Sequence, residues 1–244
     1  MRLPCWVTEQ AKSFLLRRGI RVQRDNINNN VELRLGRMLS AERIDLVIDV
    51  GANSGQYGRA LRASGYDGRI LSFEPLSSAR SELETVSQRD NRWSVAQRIA
   101  AGDHDGVVTI NIAGNSASSS ILDMLDSHRH AAPYASYVGS EEVPVRRLDS
   151  VQHPFLDEST RPFLKIDTQG YESRVLKGAT GLLKRVKGVQ VELSLCPLYD
   201  GQVLWRDIID LLEASGFELW SLVPEFLDPD TGRMLQCDGI FFRP

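Results

Sequence analysis

The segment that most constrains this chain is Leu46-Val47-Ile48-Asp49-Val50, an apolar run that passes at once into Gly51-Ala52-Asn53-Ser54-Gly55. Such a run reads as a strand buried on both faces, the habit of parallel strands covered by helices. The alternation then continues: Gln56 to Ala63 suits a helix, Arg69 to Phe73 a strand, Ser77 to Gln88 a helix and Trp93 to Ala100 a strand. It resumes with the strand Phe163 to Asp167, a helix from about Tyr171 to Val186, the strand Val189 to Leu195, and a helix from Trp205 to Ala214 that Gly216 stops. Phe217 to Leu222 and Met234 to Phe242 read as a closing antiparallel pair around Asp228-Pro229-Asp230-Thr231-Gly232. Alternation of this kind implies a mainly parallel sheet with helices on both faces, right-handed crossovers, and a ligand crevice beyond the carboxyl ends of the strands.

Two regions depart from the alternation. Residues 1–43 carry Trp6, Val7, Phe14, Leu15 and Leu16, then Val31, Leu33, Leu35, Met38 and Leu39, at roughly helical spacing around the turn-forming run Asn26 to Asn30. They read as a helical extension packed onto a main domain of residues 44–244. In the middle, Val107 to Ile112 and Val143 to Arg147 look like strands, with a Ser-rich, His-bearing loop between them. The 244 residues suffice for one ordinary core, and 29 basic against 32 acidic side chains give a net charge of −3, too balanced for a nucleic-acid partner. No apolar run reaches the roughly 18 residues of a membrane span, and Met1 to Asn30 lacks the order of a secretory signal, so a cytoplasmic protein is expected. Cys5, Cys196 and Cys237 are too scattered for a disulfide framework or a CxxC zinc site. A homodimer is compatible with this reading.

The glycine turn sits where a buried strand ends and a helix begins, so backbone there can approach a ligand closely. Gly51, Ala52, Asn53, Gly55, Gln56 and Tyr57 are therefore candidate cofactor residues. The next strand ends in Phe73-Glu74-Pro75, and an acid at that position can accept hydrogen bonds from both hydroxyls of a ribose. A dinucleotide turn needs glycine where this chain has Asn53 and Gln56, and no phosphate-gripping G-x-x-x-x-G-K-[ST] occurs. S-adenosylmethionine carries no phosphate and tolerates those side chains. A nicotinamide-dependent enzyme and a non-catalytic scaffold of the same fold are the alternatives.

These motifs, Asp49 to Tyr57 and Ser72 to Pro75, are followed by Leu164-Lys165-Ile166-Asp167-Thr168-Gln169-Gly170-Tyr171-Glu172 and Val175-Leu176-Lys177-Gly178-Ala179. In that order they resemble the FkbM family of S-adenosylmethionine-dependent methyltransferases, over about Val47 to the C-terminus. The resemblance implies a class I methyltransferase, Rossmann-like sheet of seven strands with the last antiparallel. It also implies methyl transfer to a hydroxyl, often of a sugar or a glycosylated metabolite. The chain departs from the family at Gln169, where an acidic residue is common.

An alcohol acceptor benefits from a base that receives its proton. Asp167, ending the fourth strand of the main sheet on the crevice side, is the first candidate, and could also hold the cofactor amine. Glu192 interrupts a buried strand and so needs a partner; Lys165 and Arg174 are the expected ones. It could instead serve as a base, or join Asp167 and Asp238 around a divalent ion. His128, with His130 beside it in the central loop, is the third candidate base.

Overall fold

The computed structural model describes residues 9–21 and 24–244; Cys5, Trp6 and Val7 lie outside them. Two helices come first, α1 (Glu9–Arg17) and α2 (Val31–Ala41). The Asn run between them turns the chain as its side chains compete for backbone donors: the Asn28 N–H donates to Asn26 Oδ1 (2.9 Å), and Asn30 caps α2 by accepting from the Leu33 N–H (2.8 Å). Helix α2 packs on the domain, burying Leu35 and Leu39 in a cluster with Leu61 and Tyr66. The α1 segment does not share that burial; Phe14 and Leu16 are 56% and 57% exposed.

The first half of the main domain runs β1 (Leu46–Val50), α3 (Gln56–Ala63), β2 (Arg69–Phe73), α4 (Ser77–Ser87) and β3 (Trp93–Val95). The expected strand to Ala100 stops at Val95, because Arg80 donates to the Ala96 carbonyl (2.6 Å) and Arg98 turns away to the Pro75 carbonyl (2.8 Å). The chain then enters β4 (Ala100–Ala101) and β5 (Gly106–Ala113), passes through α5 (Asp126–Ala131), and returns as β6 (Tyr137–Arg146). These form a separate three-stranded sheet of order β4-β6-β5.

The second half comprises β7 (Pro162–Ile166), α6 (Glu172–Lys177), α7 (Thr180–Leu183), β8 (Gly188–Ser194), α8 (Trp205–Ala214), β9 (Glu218–Leu227) and β10 (Met234–Phe242). The single helix expected over Tyr171 to Val186 is broken at Gly178, whose backbone passes so close to Gly102 that a Cβ would lie 1.8 Å from the Gly102 carbonyl oxygen. Asp149 restarts it by accepting from the Gly181 and Leu182 N–H groups (3.0 and 2.8 Å). The main sheet has seven strands in the order β3-β2-β1-β7-β8-β10-β9, parallel except for β10, which runs antiparallel to β8 and to β9. This is the class I methyltransferase sheet, and the closing hairpin lies where the sequence puts it. Among the described residues no helix is long and apolar enough to cross a membrane.

Register places the site. Val50 pairs with Phe73 on one side and Ile166 on the other, and Ile166 pairs with Val191. The residues that follow, Gly51, Glu74, Asp167 and Glu192, therefore emerge at one edge of the sheet, and the antiparallel partner of Glu192 is Asp238.

Candidate active site

A cleft of about 470 Å³ opens along that edge, within the size range of small-molecule sites. At one end lies the β1 turn. Gly51 has φ +79, and a Cβ there would sit 1.8 Å from the Asp167 carbonyl oxygen, so only glycine lets the β1 and β7 exits meet. Ala52, Asn53, Gln56 and Tyr57 line the cleft with Glu74 and Pro75, as does Asp167. Gly55 does not: a Cβ on it would lie 3.0 Å from Leu83 and 3.2 Å from Trp93, so this candidate shapes the start of α3 against the core.

Glu74 is tied down at both oxygens. The Asn53 N–H donates to Oε2 and the Leu76 N–H to Oε1, each at 2.8 Å. Burial outweighs these donors and pushes its pKa up to about 7. Each oxygen keeps a free lone pair. The Ser-rich loop also reaches the cleft, where Asn53 Nδ2 donates to Ser116 Oγ at 3.2 Å.

At the other end, Asp167 is 38% exposed to the cleft and held from two sides. Lys165 Nζ lies 3.3 Å from its Oδ2 and 3.4 Å from Asp49 Oδ1, and Gln169 Nε2 donates to its Oδ1 at 2.9 Å. Burial opposes the Lys165 charge, but Asp167, Asp49 and Asp238 outweigh it and hold its pKa above the ordinary value. Asp49 itself is raised by complete burial.

Glu192 is not paired with Lys165 or Arg174. Arg174 is taken by Asp103 at 2.8 Å, Lys165 by Asp49 and Asp167, and Glu192 instead accepts from Gln169 Nε2 at 3.1 and 3.2 Å. Burial, reinforced by Asp167, Glu172 and Asp238, pushes it well above the usual carboxylate range. Asp238 accepts from Gln190 Nε2 (2.6 Å), and Gln190 Oε1 accepts from the Tyr57 hydroxyl (2.8 Å). Among the described residues no three His, Cys, Asp or Glu side chains converge as metal ligands; lysine and amide donors serve Asp167 and Asp238 instead.

His128 does not line the cleft. Its ring is 2% exposed, packed within 5.1 Å of the Tyr199 ring and 5.2 Å of the Phe226 ring, and burial pushes its pKa down to about 4. Far from sitting in a solvated loop, it is a core residue of α5, and its neighbour His130 lies outside on Asp230 at 3.0 Å. Sequence reasoning missed Glu225, on the cleft wall and pushed up to about 7 by desolvation and by Asp238 and Asp167, and also Val31, Glu32 and Leu35, which α2 adds to that wall. Asp49, Lys165 and Glu192, each inside a largely apolar strand run, were the local signals of a buried charge network.

Residues 49–219 match the family model described as the methyltransferase FkbM domain. The 2-O-methyltransferase NoeI of Sinorhizobium fredii (strain NBRC 101917 / NGR234) is 26% identical over 191 residues, which cover 76% of this chain and 77% of NoeI. Solved structures of similar fold include a putative S-adenosylmethionine-dependent methyltransferase from Listeria monocytogenes, with TM-score 0.48 and 7% identity over 87% of this chain and 98% of that one. Another is magnesium protoporphyrin IX methyltransferase from Synechocystis PCC 6803 with bound S-adenosylmethionine, with TM-score 0.45 and 11% identity over 98% and 94%. Matched over most of its length, from the β1 turn to the start of the closing hairpin, the chain belongs to the FkbM methyltransferase domain family.

Proposed function

We propose that this chain transfers the methyl group of S-adenosylmethionine to a hydroxyl oxygen of a sugar or a sugar-bearing small molecule. The observation that carries the reading is the placement of Glu74 and Asp167 at the ends of the two strands that flank β1, facing one cleft. The relative NoeI, named a 2-O-methyltransferase, supports oxygen as the methylated atom.

The residues present fit an adenosyl cofactor better than a dinucleotide. Glu74 offers one free lone pair per oxygen to a pair of ribose hydroxyls. Lys165 is the sole basic side chain lining the cleft among the described residues, and it is already engaged by Asp49 and Asp167, so a pyrophosphate has no cation to meet. When bound, the cofactor supplies an electrophilic methyl on a cationic sulfur. Asp167 is placed to receive the proton of the attacking hydroxyl, and Lys165 and Gln169 hold its carboxylate in a fixed orientation. Glu32, Glu225 and Asp238 add acidic side chains to the cleft wall, a lining that suits an uncharged or cationic acceptor better than an anionic one.

The test is formation of S-adenosylhomocysteine in the presence of a panel of neutral sugars, amino sugars and their phosphorylated counterparts. Turnover with hydroxylated, non-anionic members is expected. Tight NAD binding with no affinity for S-adenosylhomocysteine would overturn the cofactor, and cofactor binding with no turnover on any member would favour a scaffold.

A further inference from the structure

The side chain at position 169 occupies the centre of the reacting end. Its backbone has φ +52 and is followed by Gly170 at φ +97, a left-handed pair in which a residue with a Cβ is disfavoured relative to glycine. A turn alone would be better served by glycine, so the glutamine side chain must contribute something that a bare turn lacks. What it contributes is visible in its bonds. Nε2 donates to Asp167 Oδ1 at 2.9 Å and to both oxygens of Glu192 at 3.1 and 3.2 Å, while Oε1 accepts from the Tyr199 hydroxyl at 2.8 Å.

We propose that Gln169 is a positioning residue for methyl transfer: its amide spans Asp167 and Glu192, holding the Asp167 carboxylate toward the acceptor hydroxyl, with the Tyr199 hydroxyl anchoring the amide oxygen. The proposal rests on the methyl-transfer reading above. The two hydrogens of the amide nitrogen match the two carboxyls, and the reverse orientation would forfeit both of these donated bonds. Tyr199 favours the orientation present by donating to the amide oxygen at 2.8 Å, with the Ser118 carbonyl as its second acceptor at 3.2 Å. It is fully buried, its pKa is raised by burial and by Glu192, so it stays a donor, and its ring edge rests on His128. The buried His128 thus gains a place in the arrangement as the floor under Tyr199. The backbone of residue 169 is fixed as well, since its carbonyl accepts from Ser120 Oγ at 2.6 Å. The turn is closed from below by Glu172, which accepts from the Thr168 N–H at 2.9 Å and the Gly170 N–H at 3.1 Å.

Without the amide donors, Glu192 and Asp167 would face each other amid titratable groups from every neighbouring element. These are Asp49 on β1, Lys165 on β7, Glu172 on α6, Asp238 and the neutral Cys237 thiol on β10, and the exposed Glu225 on β9, with Tyr57 and Tyr199 as hydroxyls. Lys165 is the one cation among them, and it is committed to Asp49 and Asp167. Hydrogen bonds donated to an ionised carboxylate stabilise it, so removing them makes Glu192 hold its proton more tightly. A residue that merely joins the ends of β7 and β8 would not have this effect.

The experiment follows the Glu192 carboxyl by carbon-13 NMR during a pH titration, with and without S-adenosylhomocysteine, in the unsubstituted protein and in Gln169→Leu, Gln169→Glu and Tyr199→Phe. Calorimetric S-adenosylhomocysteine binding is measured in parallel. Gln169→Leu is expected to raise the Glu192 midpoint by about one pH unit or more, a tenfold gain in proton affinity. Gln169→Glu should raise it further by adding a third carboxyl, and Tyr199→Phe should raise it by less, all with cofactor affinity nearly unchanged. Should Gln169→Leu fail to fold, the other two variants decide. A Glu192 midpoint that stays in place in every folded variant overturns the proposal, even if the variants are less stable. Absence of S-adenosylhomocysteine binding in the unsubstituted protein would instead sink the methyl-transfer reading, and the cofactor-free titration would still report on the amide bridge.

Discussion

Replacing Glu74 by Gln separates what this carboxyl does for binding from what it does for folding. In the folded protein its pKa rises from 4.5 to about 7 although two backbone N–H groups donate to it. Relative to the neutral form, ionised Glu74 is therefore unfavourable by about 3 kcal/mol. The raised value means that the folded state binds this proton more tightly than the unfolded state does, so Glu74 costs stability increasingly from pH 4.5 to about 7 and fully above. Glutamine removes that cost but turns its NH2 toward one of the two backbone donors, which costs about 1–3 kcal/mol. The two nearly cancel, and Glu74→Gln should melt close to the unsubstituted protein above pH 7 or slightly higher. Cofactor binding should behave differently. Loss of charged hydrogen bonds to the ribose should weaken S-adenosylhomocysteine by about 1.5–3 kcal/mol, roughly 10- to 150-fold. In the unsubstituted protein affinity should fall as pH drops below about 7, since protonated Glu74 loses its charged acceptor, and the variant should lose much of that dependence. Calorimetry across the pH range, with thermal melts alongside, measures both. Unchanged affinity with unchanged pH dependence in a folded variant would refute the ribose role.

Asp167→Asn should lower kcat at least about a hundredfold while leaving S-adenosylhomocysteine affinity nearly intact, as read by stopped assays and calorimetry. Gly51→Ala places a Cβ on the Asp167 carbonyl oxygen, so urea unfolding should show a loss of roughly 4 kcal/mol or more, or no folded protein at all. His128→Ala removes a ring packed on Tyr199 and Phe226 and should cost about 2–4 kcal/mol. Its turnover, assayed below the lowered melting point, should fall only several-fold as Tyr199 loses its support, far less than in Asp167→Asn, whereas abolished turnover would return the base to α5.

The parts of the site that the sequence makes legible are those written in consecutive residues. The run Leu46 to Val50 with its glycine turn, and the strand ending at Glu74, each carry their own strand, turn and acid, and parallel register brings them together. The break at Gly178 was hidden because its cause is the backbone of Gly102, some seventy-five residues away in the chain, and a helical apolar pattern continues across it. His128 misled for the same reason: polar neighbours suggest a solvated loop, and its burial depends on Tyr199 and Phe226, which arrive from other elements. Glu192 showed its need for a partner, but the two cations expected to pair with it, Lys165 and Arg174, were already engaged by other acids, and the neutral Gln169 took the place. Charge alone cannot announce an amide donor.

The most direct test of methyl transfer to oxygen uses S-adenosylmethionine labelled with carbon-13 in its methyl group. The labelled product, formed on any sugar that yields S-adenosylhomocysteine, is then examined by NMR. The expected result is a single new methyl ether, correlated to one ring carbon of a non-anionic sugar and formed at least about a hundredfold more slowly by Asp167→Asn. A label found on nitrogen or carbon, or a methyl ether formed undiminished by Asp167→Asn, would contradict the role assigned to this cleft.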